Sequence, residues 1–218
     1  MIIEAECIPP ELCAKAASRV RFLSPHWTDR SGFWTLGAAT YQDDPRTYPA
    51  IAEQKNIVIR RCFFDIIPRS LRVLGEVMNL KILPVGKGFA LPGFHIFNHT
   101  SNGVQGHPHI DEPYKRVEWE FEWTDPFSFT LVLELPKGGG GIDYWPDFTD
   151  EQIDLYIAAG TLPIHKHLEY AVGRLYVHTG LTPHRIANTC DMGKDEWRIT
   201  LQGHGVVRNS DGKGFVYF

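Results

Sequence analysis

Between Gly106 and Pro113 the chain runs GHPHIDEP. His109 and Asp111 stand two residues apart, and in an extended segment positions i and i+2 project to one side. An imidazole and a carboxylate can therefore converge on one point without unusual backbone geometry. Far downstream, GRLYVHTGLTPHRIANT places His184 just after a strand and a turn. Two imidazoles and one carboxylate occupy one face of a divalent ion and leave its other positions open, which suits non-haem Fe(II). Arg198 follows, with Thr200 two residues on. A guanidinium fork beside a hydroxyl is suited to a carboxylate, because it donates two parallel hydrogen bonds. Taken singly, HxD is an ordinary polar strand start and a strand arginine is usually solvated. The order HxD, then His, then Arg-x-Thr is what favours a site.

These residues must be carried by strands. FSFTLVLEL alternates, with Phe127, Phe129, Leu131, Leu133 and Leu135 on one face and Ser128, Thr130 and Glu134 on the other. WRITLQGHGVV sets Trp197, Ile199 and Leu201 against Arg198, Thr200, Gln202 and His204. GRLYVHTG and GFVYF read as further strands. KGGGGIDYW is a glycine-rich turn leading into another, and TDEQIDLYIAAG is a short helix ending at Gly160. Before about residue 80 the pattern is mixed and partly helical, with helices expected in PPELCAKAASRVRFL and RSLRVLGEVMNL. The expected fold is mainly β with N-terminal helices, a sandwich or jelly roll. We expect a single domain over 1–218, its helix-rich part (1–80) packed on a jelly-roll core (81–218). Alternation does not say which strand face turns inward, and a barrel holding a polar ligand could turn its polar face in.

Composition narrows the function classes. Of 218 residues, 43% are hydrophobic, enough for one sizeable core. The formal net charge is −4 and no Lys/Arg run stands out, so nucleic acid is not an expected partner. No apolar run is long enough to span a bilayer, and MIIEAECIPPEL carries acids where a secretory signal would carry basic residues. A soluble cytoplasmic protein is expected. Cys7, Cys13, Cys62 and Cys190 are scattered with no CxxC pair, which disfavours a disulfide framework or thiolate zinc. There is no GxSxG elbow, and PVGKG falls short of a phosphate loop.

The pattern HxD…H…R-x-S/T resembles the Fe(II)/2-oxoglutarate-dependent oxygenase superfamily. It is matched by His109-Ile110-Asp111, His184 and Arg198-Ile199-Thr200. The resemblance covers roughly residues 81–218 and implies a double-stranded β-helix. It implies that His109, Asp111 and His184 bind Fe(II), and that Arg198, helped by Thr200, binds the distal carboxylate of 2-oxoglutarate. It further implies reaction with O₂, release of succinate and CO₂, and oxidation of a C–H bond. In related halogenases the Asp111 position is a small residue, so aspartate there points to hydroxylation or another oxidative outcome. A small-molecule substrate is expected, such as an amino acid or a natural-product intermediate.

One rival is a cupin-like metal enzyme or binding module that uses no 2-oxoglutarate. His107 would then pair with His109, and Asn188 keeps a cupin-like spacing, but Thr179 and Leu181 stand where that family has Pro and Gly. His178 is expected to line the pocket or be hydrogen-bonded. His95, His99, His165, His167 and His204 are expected to be satisfied or surface histidines. EPYKRVEWEFEWTDP, with alternating acids and aromatics, is either an amphipathic strand or a flap over the metal. Trp145 and the 146–172 insertion form the other candidate lid. Trp145, Tyr114 and His178 are the expected substrate contacts.

Overall fold

The computed structural model describes residues 2–101, 106–187 and 192–218. Asn188 and Cys190 lie outside the described residues. A large sheet runs in the order β1 (Ile2–Glu6), β9 (Arg174–Thr179), β6 (Trp123–Glu134), β11 (Trp197–Arg208), β5 (Gly93–Asn98), β3 (Trp34–Leu36), β2 (Thr28–Asp29). Strand β12 (Gly214–Tyr217) pairs with β11 and with β4 (Ile82–Pro84). A smaller sheet, β10 (His184–Ile186), β7 (Gly141–Tyr144), β8 (Lys166–Glu169), faces it. Two facing sheets of mostly antiparallel strands form the jelly roll.

Helices α1 (Pro10–Phe22), α2 (Tyr48–Cys62) and α3 (Ile67–Met78) precede the long strands. Prolines sit in the first turns of α1 and α2, where a missing N–H leaves no helical bond unmade. Helix α3 ends at Asn79, whose φ of 53° lies in the left-handed region. The helices decide which strand face is apolar. Phe127, Phe129, Leu131 and Leu133 of β6, Ile199 and Leu201 of β11, and Leu175 and Val177 of β9 share one buried cluster. Cys13, Ala16, Ala17 and Val20 of α1 and Leu71, Val73 and Leu74 of α3 belong to it. The period of two then sends Ser128, Thr130, Arg198, Gln202 and His204 the other way, between the sheets.

The first eighty residues do more than cover the core with helices. Strands β1, β2 and β3 all belong to the large sheet, with Ile3 pairing Val177 and Trp34 pairing Ile96. Short strands of two to five residues carry too little alternation to be seen in sequence. The acid–aromatic segment is corrected as well. Pro113–Arg116 is a single 3₁₀ turn, and β6 begins only at Trp123. Its aromatics pack at tilted or edge-on angles instead: Trp119 lies 5.3 Å from Phe121 and 5.5 Å from Tyr217 of β12, centroid to centroid. Helix α4 (Asp150–Ala158) forms as expected, its start fixed by a capping box between Thr149 and Gln152. No helix among the described residues is long and apolar enough to cross a membrane.

Candidate metal centre

The backbone brings the two separated motifs together. His109 and His184 form an isolated antiparallel bridge that extends the smaller sheet beyond β10. Asp111 N–H donates to Gly180 O at 2.7 Å, which anchors the carboxylate-bearing residue on the turn before His184. Gly180 is needed there: a Cβ would lie 2.9 Å from Asp111 O and 3.2 Å from Asp111 Cβ.

The side chains then converge. His109 Nε2 lies 3.7 Å from Asp111 Oδ1, and His184 Nε2 lies 3.5 Å from Asp111 Oδ2. One ligand atom from each of the three falls within 4.8 Å of the others, the one such group among the described residues. The tautomers fit a metal. His109 Nδ1 lies 2.7 Å from His107 O, and His184 Nδ1 lies 2.8 Å from Thr182 O. A carbonyl oxygen only accepts, so in each neutral ring Nδ1 carries the hydrogen and Nε2 presents a lone pair. Burial pushes the His184 imidazole down to about 3, against the pull of Asp111. Burial alone would raise the Asp111 carboxyl, but His184, His204, His178 and His109 together hold it well below the usual carboxylate range. At neutral pH the centre therefore offers a neutral buried His184 beside a carboxylate anion, which matches the donors that a divalent ion takes.

The trio borders a cavity of about 720 Å³ between the sheets. Arg198 lines its far side, 1% exposed, with its guanidinium over the rings of Phe97 and Tyr170. Arg198 Nε and Nη1 have no hydrogen-bond partner among the described residues. Thr200 is buried beside it and accepts a 3.2 Å bond from Gln202 Nε2, which leaves its own O–H free to donate. A buried cation with unmet donors is costly, and an acceptor-rich anion would satisfy it. A larger cavity, about 1080 Å³, lies among Phe63, Leu71, Ile82 and Leu91, but no metal-ligating trio borders it. The chemistry-bearing residues place the site at the smaller one.

His178 lines the cavity, its Nδ1 2.9 Å from Thr179 O. Trp145 does not reach it: the side chain is fully buried and donates from Nε1 to Pro163 O. Tyr114 is also buried outside the lining, its ring against Trp123. His107 borders the cavity but is not part of the converging trio. His95 and His204, expected to be bland, both face this site. His204 Nδ1 lies 3.0 Å from Ser128 Oγ and 3.9 Å from Asp111 Oδ2. His95 bonds Tyr41 and is pushed down to about 3 by burial and by Arg198. Phe33 and Tyr41 line the cavity from the N-terminal part. The shared parity of His204 with Arg198 was the signal for one of these residues, whereas nothing local marks Phe33 or Tyr41.

No protein-family model matches the sequence, and no curated protein matches it. Solved structures do. An N-substituted L-amino acid dioxygenase from Burkholderia ambifaria AMMD, in complex with alpha-KG, has a TM-score of 0.60 at 15% identity. That match covers 98% of this chain and 85% of the other. HygX from Streptomyces hygroscopicus, with nickel and 2-oxoglutarate bound, gives 0.54 at 10% identity over 93% of this chain and 81% of that one. The epimerase SnoN from nogalamycin biosynthesis, with Fe3+, alpha ketoglutarate and nogalamycin RO, gives 0.54 at 12% over 92% and 77%. At such identities the likeness establishes the fold: this chain shares the jelly roll of these non-haem oxygenases and epimerases.

Proposed function

We propose that this chain is an Fe(II)- and 2-oxoglutarate-dependent oxygenase acting on an unactivated C–H bond of a small molecule, such as an amino acid or a natural-product intermediate. One observation carries the assignment: a His109–Asp111–His184 trio borders a cavity in which Arg198 is buried without an anion. Neighbours of the same fold were solved with alpha ketoglutarate or 2-oxoglutarate, two of them together with nickel or Fe3+. We take residues 1–218 as one domain, because Phe33 and Tyr41 share this cavity with Arg198.

In this assignment His109, Asp111 and His184 hold Fe(II) through Nε2, a carboxylate oxygen and Nε2. Bound iron and 2-oxoglutarate would supply the oxidative chemistry, with O₂ as oxidant and succinate and CO₂ as co-products. The chain supplies placement. Arg198 and Thr200 receive the distal carboxylate, and the fork fixes its direction. Ile142, Ile186 and Phe33 line the cavity and limit water. His178 presents a bare Nε2, because its Nδ1–H is engaged by Thr179 O. That lone pair accepts a substrate O–H or N–H.

The test is anaerobic titration of the Fe(II)-loaded protein with 2-oxoglutarate. A metal-to-ligand charge-transfer band should grow in and be lost in Asp111→Ala. Fe(II) binding without any such band, and no succinate release in air, would overturn the assignment.

A further inference from the structure

His95 is the second buried group in the cavity whose donor–acceptor needs are unmet. It is 8% exposed, lines the same cavity as Arg198, and its Nδ1 has no partner among the described residues. Across the ladder between β5 and β11 it stands directly opposite Thr200, two register positions, and so on the same face, from the Arg198–Phe97 pair. Arg198 and His95 thus both border the cavity, with Thr200 buried between them on the two-strand ladder.

The tautomer of His95 follows from its other nitrogen. Nε2 is hydrogen-bonded to the Tyr41 hydroxyl. Burial pushes the Tyr41 phenol far up, so it keeps its proton. With the phenol as donor, the neutral ring accepts at Nε2 and carries its hydrogen on Nδ1, the tautomer the proposal requires. The unpartnered atom is accordingly a donor, as are the unpartnered nitrogens of Arg198. An unmet buried donor is destabilising unless an acceptor arrives. Donors grouped this way match an anion rather than a cation or a hydrocarbon. Phe33 and Phe97 flank the His95 ring at 5.1 and 6.5 Å between centroids and restrict its rotation.

We infer that His95, held in its Nδ1–H tautomer by Tyr41, is a third anchor for the oxo-acid cosubstrate beside Arg198 and Thr200, a role that rests on the cosubstrate assignment above. His95 is a positioning residue for the carboxylate end, and it makes the subsite depend on Tyr41, a residue of the N-terminal part.

Isosteric substitution tests this directly. Asparagine places an amide nitrogen near the former Nδ1, whereas glutamine places one near the former Nε2. 2-Oxoglutarate binding to the Ni²⁺-loaded protein is measured by calorimetry for wild type, His95→Asn, His95→Gln and His95→Ala. Loss of one hydrogen bond to a charged group weakens binding by roughly tenfold or more. His95→Ala and His95→Gln should both show that loss, and His95→Asn should retain most of the affinity. Ni²⁺ affinity and the melting temperature of the unloaded protein serve as controls for a folding defect. If His95→Ala binds 2-oxoglutarate like wild type, or if Gln rescues and Asn does not, the inference is wrong. A wild type that binds Ni²⁺ but no 2-oxoglutarate instead overturns the cosubstrate assignment itself.

Discussion

His109 and His184 exchange both backbone hydrogen bonds, N–H to carbonyl at 2.9 Å in each direction. Directly opposed residues of an antiparallel pair project their side chains to the same face. Their rings accordingly sit 4.7 Å apart between centroids, with Asp111 reaching both. The spacing of the two imidazoles is thus set by backbone pairing, before any ion arrives.

His109→Ala should therefore abolish tight metal binding while leaving the fold intact. His109 is about half exposed, so the metal-free protein should melt within about 2 °C of wild type. Affinity for Ni²⁺ or Co²⁺ should fall by more than about a hundredfold, beyond the loss typical of a partner outside the ligand set. Calorimetric titration and a thermal melt check both halves. Unchanged metal affinity would remove His109 from the centre.

Arg198 gives a trade-off between stability and binding. Arg198→Lys should raise the dissociation constant for 2-oxoglutarate about ten- to a hundredfold, because an ammonium cannot copy the fork. Arg198→Met should abolish 2-oxoglutarate binding yet leave the ligand-free protein as stable as wild type or more so, since an unpaired buried charge is removed. Melting curves with and without 2-oxoglutarate separate the two effects. A sharply destabilised, ligand-free Arg198→Met would show that the cation already has a structural partner.

The sign of the acid response follows from His95. Its folded pKa is pushed down to about 3, first by burial and then by Arg198 and His204, with Arg30 adding and Asp111 opposing. The unfolded chain takes up the proton near the ordinary histidine value of about 6.5. Above that pH the ring is neutral in both states and the stability is fully present. Between about 6.5 and 3 the unfolded state binds more protons, so stability falls as pH falls, by up to about 1.4 kcal/mol per pH unit. His184, pushed down to about 3 as well, adds a response of the same sign. In metal-free protein, His95→Asn should therefore make the melting-temperature profile shallower across pH 4–6.5 without abolishing its slope. A profile parallel to wild type would show that His95 is not what responds.

Gly180→Ala probes how closely the turn supports the centre. Its Cβ would press on the backbone O of Asp111 at 2.9 Å and on Asp111 Cβ at 3.2 Å. Asp111 should shift, and Ni²⁺ affinity should drop by about tenfold or more. Wild-type affinity in this variant would mean that the turn carries no constraint.

Much of the centre was legible because it depends on period two and on fixed offsets. The alternation of FSFTLVLEL and WRITLQGHGVV gives the two faces of β6 as far as Leu133 and of β11, and the helices decide which face is apolar. Beyond a register shift, Leu135 packs instead with Val132, Ile142 and Tyr176, and Glu134 pairs with Arg21 of α1. HxD, His184 and Arg198 sit where short-range geometry puts them. The strand reading of the segment after Asp111 fails because its alternation serves aromatic contacts in a loop, Trp119 against Phe121 and Tyr217, instead of a ladder. Trp145 donates its indole N–H to Pro163 O within the 146–172 insertion and stands outside the cavity lining. Phe33, Tyr41 and His95 were illegible for a different reason. Their roles arise from pairing between β3 and β5, segments about sixty residues apart in the chain.

The lone guanidinium between Phe97 and Tyr170 also bears on how long each molecule survives in a cell. A ligand that binds only the folded chain stabilises it, by about 4 kcal/mol at a thousandfold excess over its dissociation constant. When that oxo acid is scarce, a larger fraction of molecules would visit unfolded states open to proteases. Under the proposed assignment, abundance would then follow the supply of the oxo acid without any change in synthesis.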